Sequence, residues 1–448
     1  MPYILNTPED IEKMLKEIGL SSPEELFNHI PKETKIDDLS LIPERKSELE
    51  VSNTLNALAK RNKSINKLNS FLGAGLYDHY VPCALKHLVY RSEFYTSYTP
   101  YQPECSQGIL QAIYEYQSFI CLLTGMDVSN ASMYDGATSL AEATSMSLRI
   151  NKKNTIIVAK SVHPEYREVL DTYFKHSDYS IIEVPYNNDG LIDTNALETL
   201  LENNISCLII QSPNFFGLIE DIHRVSTMIK DKNILLIEVT NPMSLALLKE
   251  PKQLGVDIVC GDGQPLGNNL CFGGPTFGFL ATKKEYLRQM PGRIVGKTED
   301  SEGNVAFCLT LQTREQHIRR EKATSNICSN ESLNAIAAAV YLALLGKEGF
   351  KNAALYSLNN THYLIKRLKE IKEVNFPFKT LVFNEFAWRI NGAREILKKL
   401  EEKNILAGVI LDKFYPELKD CILSCCTEKK TKKEMDDFVD TLKEIIHG

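Results

Sequence analysis

Between residues 130 and 290 short β-branched runs alternate with helical stretches of about ten residues, and this alternation most constrains the fold. The pattern predicts helix Ala137–Ile150, strand Thr155–Lys160, helix Pro164–Lys175, strand Ser180–Val184, helix Asp193–Glu202, strand Ile205–Gln211 and helix Asp221–Asp231. Strands Ile234–Val239, Asp257–Gly261 and Phe277–Ala281 complete it. Strands separated by single helices need right-handed crossovers, which produce a mostly parallel sheet with ligands at the strands' carboxyl ends.

The flanking regions read differently. Ahead of the alternation lie a capped helix after Thr7-Pro8 that stops at Gly19, a second opened by a capping box at Ser22-Pro23-Glu24-Glu25, and a charged helix over 44–67. Residues 71–104 are rich in glycine, proline and tyrosine without periodicity, a composition that favours a functional loop. A long helix from Ser106 to Thr124 stops at Gly125. After a glycine-containing segment, 291–310, come a charged helix start (TREQHIRREKATSNIC) and a small-residue helix, Leu333–Leu345. The remainder alternates helix and strand as a smaller α+β domain. The expected division is an N-terminal helical arm (1–70), a large α/β domain (71–330), and a linking helix with a small C-terminal domain (331–448).

Composition excludes several function classes. A formal charge of −7 argues against a nucleic-acid partner. The longest apolar run, Ala335 to Leu345, falls short of the roughly 20 residues of a membrane span. The N-terminus has no basic region followed by an apolar core, so no signal peptide is expected. The 11 cysteines include no C-x-x-C pair and read as reduced core thiols of the cytoplasm, Cys421, Cys425 and Cys426 on a C-terminal strand among them. The histidines show no metal spacing, so no metal is expected.

Three motifs bear on chemistry. Gly292–Thr298 (GRIVGKT) mimics a phosphate loop but is one residue short and follows Pro291 rather than a strand, so it reads as a mobile loop. Asp135-Gly136-Ala137-Thr138 opens a helix with small residues, which suits either a phosphate seat or a simple capped start. Glu238 and Gly261–Gln264 stand at consecutive strand ends, where pyridoxal-phosphate enzymes of the aspartate-aminotransferase fold place a carboxylate for the pyridine nitrogen and then the cofactor-bonding lysine. Here no lysine occurs between Lys252 and Lys283. The architecture fits that fold and the chemistry does not.

Four segments carry a resemblance that accounts for this. FLGAGLYDHYVP, EFYTSYTPYQPECSQG, MPGRIVGKTEDSEG and TREQHIRREKATSNICSN resemble the glycine decarboxylase P-protein of the glycine cleavage system, specifically subunit 1 (alpha) of its two-chain form. The resemblance implies an aspartate-aminotransferase-like large domain (pyridoxal-phosphate fold type I). It also implies that pyridoxal 5'-phosphate sits on a beta subunit, with Gln264 near the vacated lysine position. Glycine would be decarboxylated and its aminomethyl group passed to the lipoyl arm of the H-protein by an α2β2 assembly. Within that frame Tyr98, Thr99, Tyr101, Gln102 and Glu104 are candidates to line the partner's site, or ordinary packing residues. Thr324, Ser325 and Asn326 are candidates to reach its cofactor phosphate, or a conventional helix cap. Arg314, His317, Arg319 and Arg320 are candidates to steer glycine or the acidic H-protein, or a solvated helix face. Two other readings stay open: a non-catalytic scaffold or regulatory pseudoenzyme that does not line the site, and an autonomous enzyme using Lys283 or Lys297.

Overall fold

The computed structural model describes residues 3, 5–36, 42–201 and 204–448. The chain divides into two units, Met1–Ser64 and Ile65–Gly448.

In the first unit, helix Pro8–Glu17 is opened by a reciprocal cap between Thr7 and Asp10, and Gly19 follows it at φ 75°. The second predicted cap does not form. Pro23–Phe27 is a 3₁₀ turn whose Ser22 makes no side-chain cap, because the neighbouring Ser21 hydroxyl bonds Glu25 instead. The third helix is shorter than expected, Glu48–Ala59, and starts from a Ser47–Glu50 box. No described residue of these helices is buried.

The second unit is built on a seven-stranded sheet of β1 (Val128–Ser129), β2 (Thr155–Ala159), β3 (Ser180–Val184), β4 (Ile205–Gln211), β5 (Leu235–Val239), β6 (Ile258–Asp262) and β7 (Gly278–Thr282). The spatial order is β1-β7-β6-β5-β4-β2-β3, with β7 antiparallel to both β1 and β6 and the remaining pairs parallel. Strands β2, β4 and β5 are apolar on both faces because helices cover both sides, as a parallel sheet requires. Edge strand β3 is largely exposed. Helices Gln107–Thr124 and Gly136–Asn151 match the sequence expectation, and Gly125 ends the first at φ 70°. The predicted helix over 193–202 is Thr194–Leu200, and Glu202 lies outside the described residues.

Within segment 291–310, the Gly292–Thr298 motif is not a mobile loop; the segment is ordered. It forms a hairpin of β8 (Ile294–Glu299) and β9 (Val305–Thr310), whose alternating apolar residues Val295, Phe307 and Leu309 pack on Ile109, Ile113 and Ile336. The helix predicted over Leu333–Leu345 is part of Ser332–Leu368, broken at Gly346 (φ 58°, ψ −174°). It is long and apolar enough to cross a membrane by length and composition, but Ala335, Ala338, Tyr341 and Leu342 pack in the main core. A three-stranded antiparallel sheet follows, β10 (Glu385–Arg389), β11 (Val409–Ile410) and β12 (Cys421–Cys425), in the order β10-β12-β11. Its core also takes in Phe71, Phe215, Phe216 and Leu218. Cys421, Cys425 and Cys426 are buried there, whereas Cys83, Cys105, Cys271 and Cys328 are exposed, against the expectation of core thiols throughout.

Candidate functional site

The carboxyl ends of the parallel strands carry the fold's usual ligand position, and here side chains fill it. Asp135 caps helix Gly136–Asn151 through the Thr138 amide, so the capped-start reading is realised. The Gly136 amide donates to Asp262 Oδ2 at 3.2 Å, and Asp262 also accepts from Thr276 Oγ1 (3.1 Å) and the Gln264 backbone N–H (2.9 Å). A carboxylate from the chain itself therefore supplies the negative charge favoured at a helix N-terminus. Burial raises its pKa to about 6. The Tyr166 hydroxyl stands where a Cβ on Gly136 would sit, and its ring stacks on His163 at 4.7 Å.

What remains between Gly75, Tyr77, His163, Tyr166, Gln211, Thr240, Asn241 and Asp262 is a cavity of about 30 Å³, room for a water molecule. Gln264 is 1% exposed and closed on itself: its amide donates to Tyr77 O (2.9 Å) and Asn268 O (2.7 Å), and its carbonyl accepts from the Tyr77 amide (2.9 Å). Glu238 does not line this cleft; its neighbours Val239, Thr240 and Asn241 do. The Glu238 carboxyl lies in the core, where burial raises its pKa to about 8. Lys283 pairs with Asp257, which precedes β6 and so belongs to the far end of the sheet, and Lys297 is exposed on β8. Pyridoxal 5'-phosphate does not fit this arrangement: the phosphate seat holds Asp262, the ring space holds Tyr166, and among the described residues none that lines the cleft carries an amine.

A second cavity, of about 460 Å³, does gather predicted residues. Tyr101, His317, Arg320 and Asn326 line it together with Glu315, Gln316, Glu321, Ile327 and Cys328. Tyr101 sits on the proline-flanked loop, which Gln107 pins to the hairpin through Pro103 O and Phe307 O. Its ring meets His317 edge-on at 5.6 Å, and its hydroxyl accepts from Arg293 Nη2 at 2.7 Å. Tyr98, Gln102 and Glu104 are exposed and Thr99 is half-buried; none of these four lines the cavity. Arg320 adopts φ 53°, ψ −124°, a conformation that side chains rarely hold.

The profile of the family described as glycine cleavage system P-protein matches residues 1–442. The chain belongs to the glycine cleavage system P-protein family. It is 49% identical over 443 residues to the probable glycine dehydrogenase (decarboxylating) subunit 1 of Carboxydothermus hydrogenoformans, covering 99% of each chain. It is 48% identical to the protein of the same name from Desulfitobacterium hafniense, over 99% of this chain and 100% of that one. A crystal structure of an inhibitor-bound glycine decarboxylase P-protein superposes with TM-score 0.90 at 39% identity, covering 99% of this chain and 100% of that one. A NifS-like protein from Rickettsia africae (TM-score 0.63, 14% identity, 85% of this chain and 100% of that one) shares the fold.

In this P-protein chain the predicted steering group splits. Arg314 is 8% exposed, and its guanidinium donates to Met290 O and to Gly292 O (3.0 Å), so it holds the entry to the hairpin rather than a surface charge. His317, Arg319 and Arg320 are exposed, on a helix of only four residues, Gln316–Arg319, and the turn after it. Thr324 and Ser325 cap no helix: Ser332–Leu368 starts seven residues beyond Ser325, from Glu331 without a side-chain cap. The Thr324 amide bonds Arg314 O instead, and Ser325 Oγ accepts from the Ile327 amide. Sequence reasoning missed Arg293 and Glu315, which lie inside quoted motifs but whose pairing across 22 positions leaves no periodic signal.

Proposed function

We propose that this chain is subunit 1 of a two-chain glycine dehydrogenase (decarboxylating), inactive alone and complete only beside a beta subunit that carries pyridoxal 5'-phosphate. The observation that carries the reading is the filled cleft: a P-protein-family chain whose own cofactor position is taken by Tyr166, Asp262 and Gln264. The assembled α2β2 enzyme decarboxylates glycine and transfers the aminomethyl group to the lipoyl arm of the H-protein.

This chain's part is geometric and electrostatic. The Tyr101 oxygen already accepts a hydrogen bond from Arg293, which leaves its own proton to be donated outward into the cavity. His317, Arg320 and Asn326 add polar groups around the same space. Pro100 and Pro103, the latter opening the 3₁₀ turn Pro103–Cys105, restrict the loop's backbone. Tyr98, Thr99, Gln102 and Glu104, exposed or half-buried beside it, are available to the neighbouring subunit, as are Thr324 and Ser325. The exposed Arg319 and Arg320 suit an acidic H-protein approaching from solvent. The free thiols suit a reducing, cytoplasmic compartment.

Glycine–bicarbonate exchange tests the reading. The chain alone should be inactive, and adding purified beta subunit should restore exchange; vigorous exchange by this chain alone would sink it. Full activity of a complex carrying Tyr98→Phe, Tyr101→Phe and Thr324→Ala together would favour a scaffold that does not line the site.

A further inference from the structure

Arg293 joins the Tyr101 loop, 192 positions earlier in the chain, to two segments that follow it, at Glu315 and at 323–331. Its backbone is anchored at the start of β8, where its carbonyl accepts from the Ala131 amide at 2.8 Å. Its side chain is 5% exposed. One guanidinium nitrogen, Nη2, donates to the Tyr101 hydroxyl on the proline-flanked loop and to the Cys328 carbonyl on the 323–331 segment. Nη1 reaches Asn330 Oδ1 at 3.4 Å, and the guanidinium carbon lies 5.2 Å from the centroid of the Tyr101 ring. The third segment contributes Glu315, itself 7% exposed, whose Oε2 is 3.6 Å from Arg293 Nε and 3.7 Å from His317 Nδ1.

The pair is not closed on itself. Arg293 Nε and Glu315 Oε1 are both buried without a hydrogen-bond partner, and Glu315 lines the 460 Å³ cavity. A purely structural ion pair would be expected to close both atoms, since an unsatisfied buried polar group is costly. Burial instead fixes the fork in place and leaves hydrogen-bonding capacity beside Tyr101 and His317. Arginine suits the task because its planar guanidinium bonds in several fixed directions at once, which a lysine ammonium on a flexible stem does not reproduce.

We infer that Arg293 is the positioning residue of this cavity, setting the direction of the Tyr101 hydroxyl and, through Glu315, the His317 ring. The inference rests on the subunit 1 reading above. It assigns Arg293 no contact with the reacting atoms; it acts through Tyr101. The direction of that hydroxyl then depends on a side chain anchored in the hairpin rather than on the loop that carries the tyrosine.

The test uses the reconstituted two-subunit complex and the isolated chain side by side, with Arg293→Gln, Arg293→Lys, Tyr101→Phe and the Arg293→Gln/Tyr101→Phe pair. Arg293→Gln should lower kcat for glycine–bicarbonate exchange on the order of tenfold or more with little change in the KM for glycine, and the subunits should still co-elute. Arg293→Lys should recover only part of the loss. Adding Tyr101→Phe should cost nothing further, since both changes remove one interaction. In the isolated chain, Arg293→Gln should raise amide hydrogen exchange over 97–104 and 323–331 and leave β4 to β6 unchanged. An unaltered kcat, losses that multiply in the double variant, or unaltered exchange in the two loops would each overturn the inference. If the glutamine variant does not fold, the lysine variant carries the same comparisons. An inactive wild-type complex would count against the subunit 1 reading alone, because hydrogen exchange in the isolated chain still decides whether Arg293 holds the loops.

Discussion

The Tyr166 ring lies on the His163 imidazole with centroids 4.7 Å apart and planes 26° apart, beside the N-terminus of helix Gly136–Asn151. An aromatic stack in that place does with the chain's own side chain what a planar ligand would do. His163 is held in turn by the Ala74 carbonyl at 2.9 Å, so the 71–80 loop closes over the filled cleft.

Pyridoxal 5'-phosphate added to the isolated chain should leave no borohydride-fixed label. Tyr166→Ala should open the ring space at a cost of about 3 kcal/mol in unfolding free energy, and still gain no label, because no residue lining the cleft carries an amine. Peptide mapping after reduction checks this; a labelled Lys283 or Lys297 would contradict it.

Gln264→Glu should destabilise the chain by about 2–4 kcal/mol. The glutamine amide donates to the Tyr77 and Asn268 carbonyls, and a carboxylate would face both with no proton to give. Urea unfolding monitored by circular dichroism measures the loss. Limited proteolysis within 71–80 should rise in the same variant.

Burial raises the Glu238 carboxyl from its ordinary 4.5 to about 8, and the Glu385 carboxyl, which accepts from the Ala74 amide and the Tyr77 hydroxyl, to about 7. Both therefore hold a proton in the folded chain that the unfolded chain has lost. The stabilisation is complete below about pH 4.5 and disappears as pH rises through 7 to 8. Glu238→Gln should flatten the pH dependence, with a slope difference approaching ~1.4 kcal/mol per pH unit in that window and the larger gain at the alkaline end. Thermal melts from pH 5 to 9 read this directly, and parallel curves for the two proteins would refute it.

Arg314→Gln should lower thermal stability and leave the salt dependence of exchange unchanged, since the guanidinium serves the Met290 and Gly292 carbonyls. Replacing Arg319 and Arg320 by glutamine should do the reverse, leaving the melting curve in place and reducing the sensitivity of H-protein-dependent rates to ionic strength. Rates measured across a salt series separate the two cases.

The alternation between 130 and 290 made the parallel sheet legible, because burial on both faces leaves nearly unbroken apolar strands, as in Ile205–Gln211 and Leu235–Val239. Local chemistry was legible where the partner is three residues away, as in the Thr7, Ser47 and Asp135 caps. It failed at Ser22, where the adjacent Ser21 hydroxyl took the glutamate. The Gly292–Thr298 motif reads as mobile because its glycines are local signals, whereas the hairpin it opens is ordered through Phe307 and Leu309 by apolar partners on a helix almost two hundred residues earlier.

Periodicity and residue identity, which are properties of the chain alone, already carry the layers of a pyridoxal-type fold and the absence of a lysine between Lys252 and Lys283. What fills the cleft at the strands' carboxyl ends, and how the candidate residues group, follows from contacts between distant segments. Tyr166 in the cleft, Arg314 under the hairpin, and Arg293 between Tyr101 and Glu315 are meetings of side chains from distant segments. Such meetings are set by packing, which brings together residues that no local pattern relates.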